Sequence, residues 1–398
     1  MSGPGFDVAV VTSLYPSPQR PQEGIFAERR WLLMAARGHA VRVVVPLPRS
    51  PLGPLLGRLG PRHWAELALM PEREERGGLA LHRPRYLHLP GRARGNARRF
   101  ARAALSSVLA SGRPEVVFCD YAWPAAAVAP ALRLAGIPCV IHGRGSDVLE
   151  VAGEAGLADV LALHLRAAGR WCAVSTHLVE TLDRLGQDPG RGVLVPNGVD
   201  SLLFHPRDRA QCRRALGLDP PAALVLVVGH LISRKDPLLA LEVFRRGAPK
   251  DARLAFVGRG PLEADLRRAI RAAGLGQRVE LMGERAPESL AQLYGAADLV
   301  LLTSRREGRP NVVLEALASG RPVLAIAAGG TAELLAGERD RMLLEGRDPA
   351  RLGAALSRLL SDAPPLDELV ARVAELTWEA SLQALESVLS AATGEPGP

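Results

Sequence analysis

Lysine is almost missing from this chain: only Lys235 and Lys250 occur, so nearly all of its 50 basic residues are arginine. Such a skew follows most simply from genome composition and does not by itself mark a nucleic-acid binder. No helix-turn-helix, zinc-finger spacing or interleaving of aromatic with basic residues supports that partner either. Aromatic residues are scarce at 4%, which suits helices packed closely on strands through small side chains. The four cysteines, Cys119, Cys139, Cys172 and Cys212, form no C-x-x-C pair, and buried reduced thiols are their ordinary reading. No run approaches the roughly 18 apolar residues of a membrane span. The opening MSGPGFDVAVVTS lacks the basic start and long apolar core of a signal peptide. A cytoplasmic protein is expected.

What the chain has is enough apolar material for two cores. Its 398 residues exceed one typical domain, and 47% of them are hydrophobic, which excludes wholesale disorder. The formal charge of +8 favours anionic small molecules or an acidic membrane face as partners.

Short apolar runs alternate with helical stretches. Strands are expected at 6–12, 40–45, 79–82, 116–119, 138–141, 172–174 and 192–195, and helices at 25–37, 94–110, 125–135 and 155–168. Several runs are continuously apolar, as strands covered on both faces must be. The Asn-Gly and Pro signals of PNGVDSLLFHP, 196–206, mark a connection. A second series follows, with strands at 224–228, 253–257, 279–282, 299–303, 323–325 and 342–344 and helices at 237–246, 261–273, 288–294 and 311–319. The fold class is therefore α/β, with two doubly wound, Rossmann-like domains of about six strands each. The domains are expected at 1–196 and 197–375, with a terminal helix at 376–398. Ligands of such sheets bind at the carboxyl ends of the strands, so an interdomain cleft is expected. One excursion, 46–78, is rich in Pro, Gly, Arg and Leu, and its arginines continue to Arg102. It reads as a solvated insertion or as a basic, partly apolar lip touching a membrane or a lipid-linked acceptor.

The densest chemistry lies in S-R-R-E-G-R-P-N-V-V-L-E-A-L-A-S-G-R-P-V-L-A, 304–325. A strand ends, a polar Gly/Pro loop follows, and a helix starts near Pro310 and Asn311. The backbone amides of Asn311, Val312 and Val313 then lie at a helix N-terminus, which favours an anion. Glu307 precedes the helix and Glu315 sits one turn inside it, where a carboxylate can accept hydrogen bonds from sugar hydroxyls. Spacing alone is uninformative, because E-x7-E also occurs at Glu66/Glu74 and Glu280/Glu288. Only the third pair straddles a strand–loop–helix junction.

This segment resembles the donor-site signature of family-four retaining glycosyltransferases of the GT-B fold, in its E-G-x-P-N-V-x-L-E-A form. The resemblance is to members building capsular, teichuronic-acid or other surface polysaccharides, and it covers nearly the whole chain. It implies that Glu315 holds the nucleotide ribose, that Glu307 lies near the donor sugar, and that the amides of Asn311 to Val313 touch sugar and diphosphate. The N-terminal T-S-L-Y-P-S-P-x(4)-E-G-I-F-A-E-R-R resembles the family's first strand, loop and helix, with Gly24 letting backbone approach the diphosphate. C-V-I-H-G-R-G-S-D-V implies a place for His142 beside the donor sugar, next to Asp147. V-P-N-G-V-D matches the linker, where Asn197 shapes a turn. In V-V-G-H-L-I-S-R-K-D-P, Lys235 falls where the family's lysine contacts diphosphate. His230 departs from the usual arginine, and Arg234 is placed to compensate. M-G-E-R-A-P offers Arg285 to the nucleobase. G-G-T-A-E-L, 329–334, resembles the segment closing the donor pocket, and 376–391 the helix crossing back to the first domain. F-V-G-R-G-P-L-E lacks the full dinucleotide fingerprint, which leaves an oxidoreductase without support.

The implied reaction moves a hexose-type sugar from a nucleoside diphosphate to a saccharide or lipid-linked acceptor with retention, without cofactor or metal; no D-x-D motif occurs. Lys235, His230 or Arg234 would stabilise the departing diphosphate. A nucleotide-sugar epimerase of the same architecture is the alternative.

Overall fold

The computed structural model describes residues 5–50, 61–218, 222–338 and 340–394, so part of the excursion at 46–78 lies outside the described residues. The chain divides into two compact units, 1–196 with 381–398, and 197–380.

In the first unit the strands are β1 (Asp7–Thr12), β2 (Ala40–Val44), β3 (Leu47–Arg49), β4 (Arg73–Arg76), β5 (Leu79–His82), β6 (Arg85–Leu87), β7 (Val116–Asp120), β8 (Cys139–Gly143), β9 (Trp171–Ala173) and β10 (Gly192–Leu194). Eight of them form one sheet in the order β10-β9-β8-β7-β1-β2-β5-β4, and β3 pairs with β6 beside it. Every pairing is parallel except β4 with β5. The central β7 and β8 are buried at every position, which is why they read as unbroken apolar runs. The expectation of about six strands is too low for this unit. The additional strands are three or four residues long, and β4 reads REER. That sequence is an edge strand whose charges discourage further pairing, so no apolar alternation announces it.

Residues 125–135 form no single helix. Ala122–Ala125 is helical, Ala126–Val128 is a 3-10 turn, and Ala129–Leu134 is helical again. Trp123 stands at φ −106, ψ 127 before Pro124, because a residue preceding proline is pushed out of helical geometry.

The second unit holds β11 (Leu224–Val228), β12 (Arg253–Val257), β13 (Val279–Gly283), β14 (Leu299–Leu302), β15 (Val323–Ile326) and β16 (Leu343–Leu344). They form one parallel sheet in the order β13-β12-β11-β14-β15-β16. Strand order reverses between β11 and β14, so the crevice beyond their carboxyl ends is where such a sheet takes its ligand.

The terminal helix Trp378–Thr393 returns the chain to the first unit. Leu382, Leu385, Val388 and Leu389 join the core that holds Trp31, Met34 and Val10. Glu386, 5% exposed, pairs with Arg37 Nε at 2.7 Å and His39 Nε2 at 2.9 Å. No described helix is long and apolar enough to cross a membrane.

Candidate functional site

The loop leaving β11 is built on close backbone approach. A Cβ on Gly258 would lie 2.1 Å from the Gly229 carbonyl oxygen, and both glycines hold φ of +141°, a conformation that side chains rarely tolerate. Leu231 then bonds back, its amide donating to Arg259 O at 2.9 Å. The loop ends at Asp236, whose carboxylate caps the helix Pro237–Gly247 by accepting from Leu239 N at 3.3 Å. The same carboxylate holds Arg305 and Arg347, each at 2.6 Å. Thr303 Oγ1 donates to the carbonyls of Lys235 at 3.1 Å and Asp236 at 2.9 Å. The loops of β11 and β14, on either side of the strand-order reversal, are therefore tied together.

This tie brings Lys235 to Glu307. Lys235 Nζ lies 2.5 Å from Glu307 Oε1, and Arg234 Nη1 lies 3.7 Å from Oε2. The Glu307 side chain is 6% exposed and that of Lys235 18%, so their attraction is screened less than that of a surface pair. The ammonium has two further protons to offer an anion.

The helix after this loop is Asn311–Ala318, with Pro310 as its cap residue. Val313 N turns back on Pro310 O at 3.1 Å, so its amide is not free as the sequence suggested. Among the described residues the amides of Asn311 and Val312 donate to no protein acceptor. Asn311 Oδ1 accepts from Asn197 Nδ2 at 3.0 Å, which gives Asn197 a contact beyond its own turn. Glu315 is 8% exposed and accepts from the Tyr294 hydroxyl at 2.9 Å. Burial raises its pKa to about 7, against the lowering effect of the tyrosine hydrogen bond. His230 and Arg285 are exposed, and no contact brings them to the Lys235–Glu307 pair among the described residues.

In the first unit the order also reverses at β1 and β7, and a buried charge network stands near these strand ends. Asp120, at the end of β7, accepts from Trp31 Nε1 at 3.0 Å and Arg144 Nη1 at 3.2 Å. His142 Nδ1 lies 3.0 Å from Asp120 Oδ1 and 3.0 Å from Arg30 Nη1. Burial opposes the Asp120 charge, yet Arg144, His142 and Arg30 together hold its pKa well below the usual carboxylate range. Burial, then Arg30, lowers His142 to about 4 against the raising effect of Asp120, so the imidazole is neutral near pH 7. The His142 side chain is fully buried. Asp147 accepts from the amides of Ala122 at 2.5 Å, Arg144 at 3.0 Å and Gly145 at 2.7 Å. It shapes the turn after β8. Gly24, at φ +76°, would carry its Cβ 2.6 Å from Leu14 O, so local backbone packing already demands glycine there.

Sequence reading did not single out Asp120, Arg30, Trp31, Arg144, Tyr294 or Arg347. Tyr294 meets Glu315, and Arg30 meets His142, only when separate helices and strands pack. Asp236 was missed despite a readable signal, an Asp immediately before a helix-opening Pro.

Known proteins match along both units. The model for Glycosyltransferase Family 4 matches residues 32–201, and that for Glycosyl transferases group 1 matches residues 222–362. A D-inositol 3-phosphate glycosyltransferase of Nocardia farcinica is 32% identical over 287 residues, 69% of this chain, which spans 63% of that relative's length. A putative teichuronic acid biosynthesis glycosyltransferase, TuaC of Bacillus subtilis, is 28% identical over 87% of each chain. A crystal structure of Anabaena HepE in complex with UDP and glucose superposes with a TM-score of 0.73 at 18% identity, covering 97% of this chain and all of the other, which shows a shared GT-B fold. With both models matched in order along the two units, the chain belongs to the group 1, family-four glycosyltransferases.

Proposed function

We propose that the chain is a retaining glycosyltransferase that moves a sugar from a nucleoside-diphosphate sugar to an acceptor hydroxyl, in the building of a surface polysaccharide or glycolipid. The observation carrying this reading is the Lys235–Glu307 contact of 2.5 Å at the strand-order reversal of the second unit. Support comes from the UDP and glucose held by HepE and from the transferase names of the relatives.

In this reading the bond between anomeric carbon and diphosphate oxygen breaks, and charge grows on the departing phosphate. Lys235 and Arg234 face that charge, helped by the amides of Asn311 and Val312. Preset donors of this kind stabilise a transition state without reorganising. Glu307 restrains the ammonium before the donor arrives, and Glu315 accepts from the ribose hydroxyls once deprotonated. The cations belong to the protein, so turnover is expected to persist in EDTA. Loss of turnover on chelation, restored by added metal, would contradict this.

The test is incubation of the full chain with UDP-, GDP- and ADP-sugars, with and without saccharide or lipid-linked acceptors. Release of nucleoside diphosphate that depends on acceptor, and a product whose anomeric proton coupling matches that of the donor, are expected. An epimer formed from donor alone would establish the epimerase instead.

A further inference from the structure

Among the described residues, Arg309 is a nearly buried cation with no hydrogen bond. Its side chain is 7% exposed, and its one ionic neighbour among them, Glu333 Oε2, stands 3.9 Å from Nη1. Its Nε is buried without a partner. Six other arginines have a buried, unpartnered Nε: Arg30, Arg42, Arg207, Arg209, Arg321 and Arg372. Each of them donates through another nitrogen, to His142, Asp7, Leu203 O, Asp298, Arg207 O and Glu338 respectively. Arg309 does not. Burial lowers its pKa, and Glu333 opposes that only in part. A nearly buried guanidinium whose Nε–H is left without an acceptor is costly unless a ligand completes it.

Its surroundings agree. Arg309 lies two residues after Glu307, in the loop between β14 and the helix Asn311–Ala318. Its contact with Glu333 directs it to the short helix Thr331–Leu334 that follows β15, whereas Glu307 turns to Lys235 after β11. In the order β11-β14-β15 the two cations therefore have different partners, Lys235 on Glu307 and Arg309 beside Glu333. The Ser304 hydroxyl, on the same loop as Arg309, and the Thr331 hydroxyl, on the short helix Thr331–Leu334 that carries Glu333, are also buried without a partner.

We propose that Arg309 recognises an oxyanion of the donor other than the one Lys235 holds: a carboxylate on the transferred sugar, as in a hexuronic acid, or the sugar-proximal phosphate. This rests on the donor reading above. A guanidinium fork suits either group, because it meets two oxygens at once.

The test compares the wild type with Arg309→Met and Arg309→Lys, by thermal unfolding and by calorimetric titration. The ligands are UMP, UDP, UDP-glucose and UDP-glucuronate, with the GDP and ADP counterparts of the nucleotides and the glucose conjugates. Without ligand, Arg309→Met is expected to melt at the same temperature as wild type or higher. With ligand, it is expected to bind about 10- to 100-fold more weakly, the loss of one charge-assisted contact. If the weakening is confined to UDP-glucuronate, the carboxylate is the partner. If it extends to UDP and UDP-glucose but not to UMP, the phosphate is. Arg309→Lys is expected to fall between. A lower melting temperature for ligand-free Arg309→Met, or unchanged affinity for every ligand that stabilises the wild type, would overturn the proposal. A wild type that responds to no nucleotide would instead overturn the donor reading.

Discussion

In the proposed donor reading Glu315 meets two opposed demands. Its burial favours the protonated acid, with the pKa raised to about 7, while a ribose diol is best held by the carboxylate. A carboxyl whose folded pKa exceeds its unfolded value stabilises the fold at low pH and loses that contribution as pH rises through the folded value. Between pH 4.5 and 7 the wild type should therefore lose up to about 3 kcal/mol relative to Glu315→Gln, measured by urea unfolding at a series of pH values. Parallel curves would show that Glu315 is not the protonated group. Nucleotide affinity should rise over the same interval in wild type alone. Asp120 presents the reverse case. Replacing it with asparagine leaves Arg30 and Arg144 beside an uncharged partner and should cost about 3–5 kcal/mol, read from the same denaturation. A cost below about 1 kcal/mol would mean that the network is not held by charge.

At the scale of elements, the loop after β11 packs backbone on backbone against the turn after β12. Gly258→Ala places a methyl group against the Gly229 carbonyl and forces a side chain into a strained φ. It should destabilise by about 2 kcal/mol or more and weaken nucleotide binding by shifting Lys235. Wild-type unfolding with wild-type affinity would show that the loop yields without moving the lysine. All six strands of the second unit were legible in the sequence, because each is short and mostly apolar, bounded by Gly, Pro or polar residues. β3, β4 and β6 were not: Pro48 and the charges of REER hide pairings that follow from neighbouring strands. The site divides in the same way. Lys235, Glu307 and Glu315 stand in a recognisable strand–loop–helix setting. The partners of Glu315 and His142, namely Tyr294 and Arg30, lie 21 and 112 residues away, and no local pattern connects them.

At the scale of the whole molecule, the terminal helix belongs to the core of the first unit. Truncation before Ser381 would uncover Leu382, Leu385, Val388 and Leu389 and leave Arg37 and His39 without Glu386. Burying one such apolar side chain is worth about 1.5–3 kcal/mol, so the truncated chain should not fold its first unit stably; a cooperative melt at the wild-type temperature would contradict this. The central claim is that the second unit binds a nucleoside-diphosphate sugar between the loops of β11 and β14. Calorimetric titration of the full chain, its Lys235→Ala variant and its Glu315→Ala variant with UDP-, GDP- and ADP-sugars tests it most directly. Saturable wild-type binding of one nucleotide class, weakened at least about tenfold in both variants, is the predicted result. Equal binding by all three proteins, or none by wild type, would contradict it.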